Sequence, residues 1–186
     1  PAVHVETMQR IVSVESSFNP NAIGIVGAHL ARQPRSREEA IATAKWLQAN
    51  GYNFSVGLAQ VNKFNFSKYG LTVETAFDPC MNLAAGSQIL ADCFVRARRK
   101  REEQDALRAA FSCYESGNFI TGFRDGYVLK VVSANAMTGR VIRQHAATAP
   151  STEKVKAVKE IRRQPTVASA NGSSVPNSDP QSSLLF

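Results

Sequence analysis

Apolar positions recur at helical spacing along most of the first 134 residues. Val5, Met8, Val12 and Glu15 fall at i, i+3, i+7 and i+10, one face of a helix. Ser36-Arg37-Glu38-Glu39 is a capping-box pattern that opens a second helix through Ala40, Ile41, Ala44 and Leu47, with Gly51 as its stop. Asp78-Pro79 suits a cap and first-turn position. Beyond it Leu83, Gly86, Leu90, Cys93, Phe94 and Ala97 line one face. Leu107, Ala110, Phe111 and Tyr114 form another stripe, and Tyr127, Val128, Val131 and Val132 a last one. Tyr52–Tyr69 carries Gly, Asn, Phe and Val without helical period, which predicts a loop and a short β-hairpin. The expected fold class is therefore mainly α, an α+β helical domain with a small hairpin.

Composition places the edge of that domain. Fourteen of the fifteen aromatics lie between Phe18 and Tyr127, and aromatics supply much of a core's buried area. The expected domain is 1–134. Residues 135–186 are expected to be a flexible tail, basic at first and then rich in Ser, Pro and Asn. Of the 22 residues from Pro165 to Phe186, 13 are Ser, Pro, Asn, Gly or Gln, too little apolar surface to offset ordering entropy. Between these parts, Thr152–Arg163 has a weak apolar spacing that suggests a marginal exposed helix. No apolar run is long enough to span a membrane, and nothing repeats at a fixed period. The chain opens on Pro1 without a charged-then-apolar leader, as a processed or shortened chain would.

Charge narrows the picture less. The net +7 splits into 15 cations and 12 anions over residues 1–134, and 7 and 3 over 135–186. A domain at +3 is too mild for a DNA-binding surface and suits an acidic polymer. The densest basic run, Arg96, Arg98, Arg99, Lys100 and Arg101, has no interleaved aromatics. It reads either as a solvated helix end or as a phosphate-binding patch. No specific nucleic acid is expected as partner.

Glu15 is the residue that looks chemical. It occupies a core-facing position of the first helix, where burial disfavours the ionised form and raises a carboxyl pKa. A carboxylic acid kept protonated near neutral pH can act as a general acid. The alternative is a Glu at a helix end whose head reaches water or an Arg.

Four short motifs surround it in order: Glu15-Ser16-Ser17-Phe18-Asn19-Pro20, Gly57-Leu58-Ala59-Gln60, Asp78-Pro79-Cys80-Met81-Asn82-Leu83-Ala84-Ala85-Gly86, and Cys113-Tyr114-Glu115-Ser116-Gly117. This series resembles the soluble, goose-lysozyme-like lytic transglycosylases, whose pattern is E-S-x-F-N-P, G-L-M-Q, D-P-x-x-N-(I/L)-x-x-G and A-Y-N-x-G. An insertion that includes Arg32–Val56 makes the chain most similar to the transglycosylases of type IV secretion and conjugation systems. The resemblance implies a lysozyme-like fold, a peptidoglycan substrate, a periplasmic location and no cofactor or metal. It further implies secretion subunits as partners of the tail.

It also assigns roles. Glu15 is implied as the single acid and base that cleaves between N-acetylmuramic acid and N-acetylglucosamine and closes a 1,6-anhydro ring. Ser16 is implied beside it, holding substrate or carboxyl, or else bonding backbone. Gln60 offers a donor and an acceptor to the sugar. Gly57 lets the chain lie close to the sugar, and Asn62 either extends that rim or makes a turn. Tyr114 is implied to reach the catalytic carboxyl with its hydroxyl. Two departures stand out. Ala59 replaces Met and is expected to reshape the sugar groove. Glu115 replaces Asn and could raise the Glu15 pKa, contact substrate or face water. A hydrolase using the same cleft, or an assembly factor with a weak site, are the other readings.

The three cysteines lack zinc-site spacing. Cys80 and Cys93 lie too far apart along one helix to bridge, whereas an antiparallel helix pair would set Cys93 and Cys113 level, so a disulfide there is possible. His4, His29 and His145 carry no pattern and are expected at the surface.

Overall fold

The computed structural model describes residues 3–135 and the backbone of residues 161–163. Helix α1 (Val5–Ser16) starts at His4, whose side chain accepts from the Glu6 amide, and ends at Ser17 in the left-handed region. Strands β1 (Ile23–Ile25) and β2 (Ala28–Leu30) follow as a tight hairpin. Helix α2 (Arg37–Ala49) is capped as its sequence predicts, the Ser36 hydroxyl accepting from the Glu39 amide at 3.2 Å. The Glu39 carboxylate closes the turn on the Arg35 amide at 2.8 Å. Strands β3 (Phe54–Val56) and β4 (Val61–Asn62) form the expected hairpin.

Helix α3 (Pro79–Arg98) begins at the Asp78 cap, with Pro79 in its first turn. Helix α4 (Glu103–Ser116) returns antiparallel to it. Two short helices, α5 (Thr121–Arg124) and α6 (Tyr127–Ser133), complete the helical part. The antiparallel sheet has the order β4-β3-β1-β2-β5, its last member being β5 (Ile161–Arg163), where Leu30 faces Ile161. This is the mixed α+β domain that the periodicity predicts.

Three differences have simple causes. The first hairpin is not visible as a pattern, because strands of three residues are too short to display alternation. Ile161–Arg163 is a strand, not part of a helix, since the open edge of β2 supplies backbone partners that a marginal helix lacks. The rest of that expected helix, the remainder of the tail beyond residue 135 and His145 lie outside the described residues. On α1 the buried pair is Ile11 and Val12, and Val5 is 64% exposed. The stripe is rotated because α1 is covered from two sides.

Those two sides are separate hydrophobic clusters. One gathers Ala40, Ala44, Leu47, Phe54, Val56, Val61 and Phe77 around the sheet and α2. The other gathers Ile11, Leu90, Phe111, Tyr127, Val128 and Val131 among α1, α3, α4 and α6. Met8 packs against both, so α1 runs along the seam between them. Cys93 and Cys113 are joined as a disulfide with Cα atoms 5.8 Å apart, tying α3 to α4, while Cys80 is free and exposed.

Candidate active site

A cleft of about 870 Å³ opens between the two clusters. Glu15 lines it from the last turn of α1, together with Gly24, Ile25, Asn53, Ser55, Gln60 and Asn62 of the sheet side. Tyr114, Glu115 and Gly117 close it at the end of α4.

Burial is the main influence on Glu15 and pushes its carboxyl up to about 7. A hydrogen bond from the Tyr127 hydroxyl at 2.5 Å acts the other way, and the nearby Glu115 carboxyl raises it further. Burial, then the Glu15 charge, pushes the Tyr127 phenol up, so it stays a donor. The result is a half-buried acid held in one position and poised to lose its proton near neutral pH.

Tyr127 is the partner of the acid that periodicity concealed. It lies on an apolar stripe and is itself buried, so in sequence it reads as core. The tyrosine expected on the carboxyl, Tyr114, instead donates to the Ala59 carbonyl at 2.6 Å. It remains near enough for the Glu15 charge to raise its pKa, second to burial. The two tyrosines divide the work: one orients the acid, the other fastens the opposing loop.

That loop, residues 57–60, is where the four motifs meet. The Ser16 hydroxyl donates to the Leu58 carbonyl at 2.8 Å and to Val12 at 3.2 Å, so it bonds backbone, the structural alternative foreseen for it. Asn82 is 1% exposed and accepts from the Ala59 amide at 2.7 Å. Its amide donates to the Val56 and Ala76 carbonyls at 2.9 and 2.8 Å. Sequence marked Asn82 only as part of a motif, and its lone polar character on an apolar helix face is the signal that could have singled it out. At Gly86 a Cβ would sit 2.6 Å from that of Ala59 and 3.0 Å from the Tyr114 hydroxyl, so only glycine lets α3 and the loop approach this closely.

The expected sugar contacts change accordingly. Gly57 has φ +78°, and a Cβ there would stand 2.4 Å from the Asn82 amide nitrogen. Its glycine is required by the turn and by Asn82, and it lies behind the cleft lining. Ala59 is fully buried against Gly86 and is not among the residues that line the cleft. Gln60, at φ 45°, donates both amide hydrogens to protein, to the Ala22 carbonyl at 3.1 Å and the Gly57 carbonyl at 2.9 Å. It faces the cleft as an acceptor alone. Asn62 lines the cleft too, but its amide goes to Asn53 and Ser55 and its oxygen caps Phe64.

Glu115 is exposed on the cleft rim, and burial followed by the Asp125 charge raises its pKa, offset by Lys130. In the basic run, Arg96 and Arg101 stack over Phe119, and Arg98 donates to the Arg101 carbonyl at 2.7 Å. Three of its members are thus spent on holding the α3–α4 turn.

The family model for the transglycosylase SLT domain matches residues 1–148. The chain belongs to the SLT transglycosylase family. As a member it is a lytic transglycosylase of peptidoglycan. It is 48% identical to the type IV secretion system protein virB1 of Brucella suis biovar 1 (strain 1330), over 97% of this chain and 73% of that protein. Protein virB1 of Rhizobium radiobacter is 38% identical, over 72% of this chain and 56% of that protein. For protein virB1 of Agrobacterium fabrum (strain C58 / ATCC 33970) the identity is 35% over 72% and 55%. No solved structure matches the chain significantly. Among the described residues, no helix is long and apolar enough to cross a membrane.

Proposed function

We propose that this SLT-family enzyme works in the periplasm, where Glu15 alone serves as acid and then base in opening the cell wall for a type IV secretion apparatus. The observation that carries the chemistry is the Glu15 carboxyl, raised to about 7 by burial in the cleft and gripped by Tyr127. Protonated, it gives its proton to the oxygen linking N-acetylmuramic acid to N-acetylglucosamine. The sugar–oxygen bond breaks, and positive charge develops at the muramyl anomeric carbon. Glu15, now a carboxylate, accepts the proton of the muramyl 6-hydroxyl as that oxygen bonds the anomeric carbon. The product is a 1,6-anhydro sugar, and no water is consumed. Tyr127 keeps the carboxyl in place through both proton transfers.

The sheet-side loop supplies the counter-wall. Gln60 accepts from a sugar amide or hydroxyl, and Tyr114, Ser16, Gly57 and Asn82 keep its backbone fixed. Asn62 and Asn53 add a polar rim. The secretion role rests on the name type IV secretion system protein virB1 of the Brucella relatives, and the periplasmic assignment on the peptidoglycan substrate of the family. Secretion subunits are the partners proposed for residues 135–186.

One observation favours a second reading. Glu115 places another carboxyl on the cleft wall, where it could serve as a base that directs water to the anomeric carbon. Mass analysis of digested peptidoglycan separates the two, because an anhydro product is lighter than a hydrolysed one by one water. Anhydro ends that disappear in Glu15→Gln support the proposal. Reducing ends from the unaltered chain overturn it in favour of hydrolysis.

A further inference from the structure

Strands β4, β3 and β1 each give residues to the cleft, Asn62, Ser55 and Gly24 among them. β2 and β5 continue the same sheet on the side away from β4. This outer part reaches the cleft at the turn from β1 to β2. Val26 in that turn lines the cleft and is 66% exposed, and its amide donates to the Asn53 carbonyl at 3.0 Å. Gly27, at φ +73°, supplies the left-handed residue that so tight a turn needs.

The two sides of the turn are held unequally. β1 is in register with β3 at three pairs, Ile23 with Val56, Gly24 with Ser55 and Ile25 with Phe54. β2 joins β1 through one pair, Ile25 with Ala28. It joins β5 through three, Ala28 with Arg163, His29 with Arg162 and Leu30 with Ile161. Leu30 packs on the sheet-side cluster, whereas His29 is exposed and Ala28 only half-buried. The turn end of β2 therefore depends on its backbone ladder, and most of that ladder is with β5. A three-residue strand without such partners is marginal.

We propose that β5 is a positioning element of the glycan cleft. By completing the ladder of β2 it fixes the turn that presents Val26, an aliphatic contact for an N-acetyl methyl group. A wall already in place spares the binding step the cost of ordering it. Linkage makes the effect reciprocal: bound glycan strengthens the hold of β2 on β5. A secretion subunit that draws the tail off β2 weakens the hold on glycan by the same factor. That last consequence rests on the tail being the partner-binding segment; the contribution of β5 to glycan binding does not.

Glycan oligomers bound by the full chain carrying Glu15→Gln, which leaves them intact, test it. Neighbouring amides of a strand point to opposite sides, so Ile161→Pro with Arg162→Pro removes at least one donor facing β2. This double variant is expected to bind glycan about fivefold more weakly, with little change in melting temperature. Arg162→Ala keeps full affinity, because backbone makes the ladder. With Glu15 intact, the double variant raises KM by the same factor and leaves kcat and the pH–rate profile unmoved. A separate chain carrying Cys80→Ser, Ala28→Cys and Arg163→Cys reads the docking of β5 as the equilibrium of the new disulfide in a glutathione buffer. Glycan oligomers are expected to shift that equilibrium about fivefold toward the closed form. Unchanged glycan affinity in the double variant overturns the proposal, as does a disulfide equilibrium that glycan leaves unmoved. A loss that Arg162→Ala reproduces makes β5 a charged glycan contact and overturns it too. So does a fall of kcat together with melting temperature, the mark of a purely structural strand. The transglycosylase reading fails separately, if the chain with Glu15 releases no anhydro product while glycan binding still depends on β5.

Discussion

The two walls of the cleft are built by opposite means. On the helical side Glu15 is partly withdrawn from solvent and takes one hydrogen bond, from Tyr127, a member of the cluster of Ile11, Leu90, Phe111 and Val131. On the sheet side the backbone of residues 57–60 accepts hydrogen bonds from the Ser16, Tyr114 and Gln60 side chains and donates one, from the Ala59 amide, to Asn82. Apolar packing withholds solvent from the Glu15 charge and so changes its acidity, whereas the hydrogen bonds of residues 57–60 join groups that do not ionise near neutral pH and fix position. A general acid needs the first treatment and a sugar-contacting rim the second. Helix α1 on the seam between the two clusters lets one cleft have both.

The sharpest way to break this contrast is to remove the acid itself. Glu15→Gln should lower the rate of anhydro-product release about a thousandfold, read by mass analysis, with the fold intact. The same variant has a stability signature. Because folding raises the Glu15 pKa from 4.5 to about 7, its contribution is full below about 4.5 and is lost as pH rises through about 7. Above that pH, Glu15→Gln should therefore be more stable than the parent by on the order of 2 kcal/mol in denaturant titration, the gain vanishing in acid.

Asn82→Ala attacks the other wall. It strands the buried Ala59 amide and the Val56 and Ala76 carbonyls, and should cost about 3 kcal/mol of stability with no shift of the pH–rate profile. A shift in that profile would show that the loop also tunes the acid. Tyr127→Phe should reduce the rate about tenfold by leaving the carboxyl unoriented. Since the Tyr127 bond lowers the Glu15 pKa, its loss should move the alkaline limb of the profile to higher pH. The smallest effect belongs to Glu115→Gln. Removing a like charge lowers the Glu15 pKa, so the alkaline limb should fall by a fraction of a pH unit. No movement at all would mean that Glu115 faces water and takes no part.

Much of the frame was legible because its signals are local. Ser36 and Asp78 mark helix starts, since a cap is made by residues three apart. The level placement of Cys93 and Cys113 follows from two helices of known rise and a short turn. The first hairpin escaped because three-residue strands carry no readable period. At the site, Glu15 was legible as an acid on a core-facing position, while Tyr127 was hidden by looking like core. The motifs were informative in order and spacing, yet the reason for several of their residues was different from the one expected. Gly57, Gly86 and Ser16 serve the packing of the loop behind the cleft.

Sequence by itself determined the helices, their caps and the one carboxylic acid on a buried face, because each depends on residues within a few turns of one another. Tertiary structure alone decided which tyrosine grips that acid, which side chains turn their polar atoms inward to backbone, and where Lys68 meets Asp92. The first and last of those outcomes join residues 112 and 24 positions apart, and a hydrogen bond's partner is set by distance in space, which no local periodicity encodes.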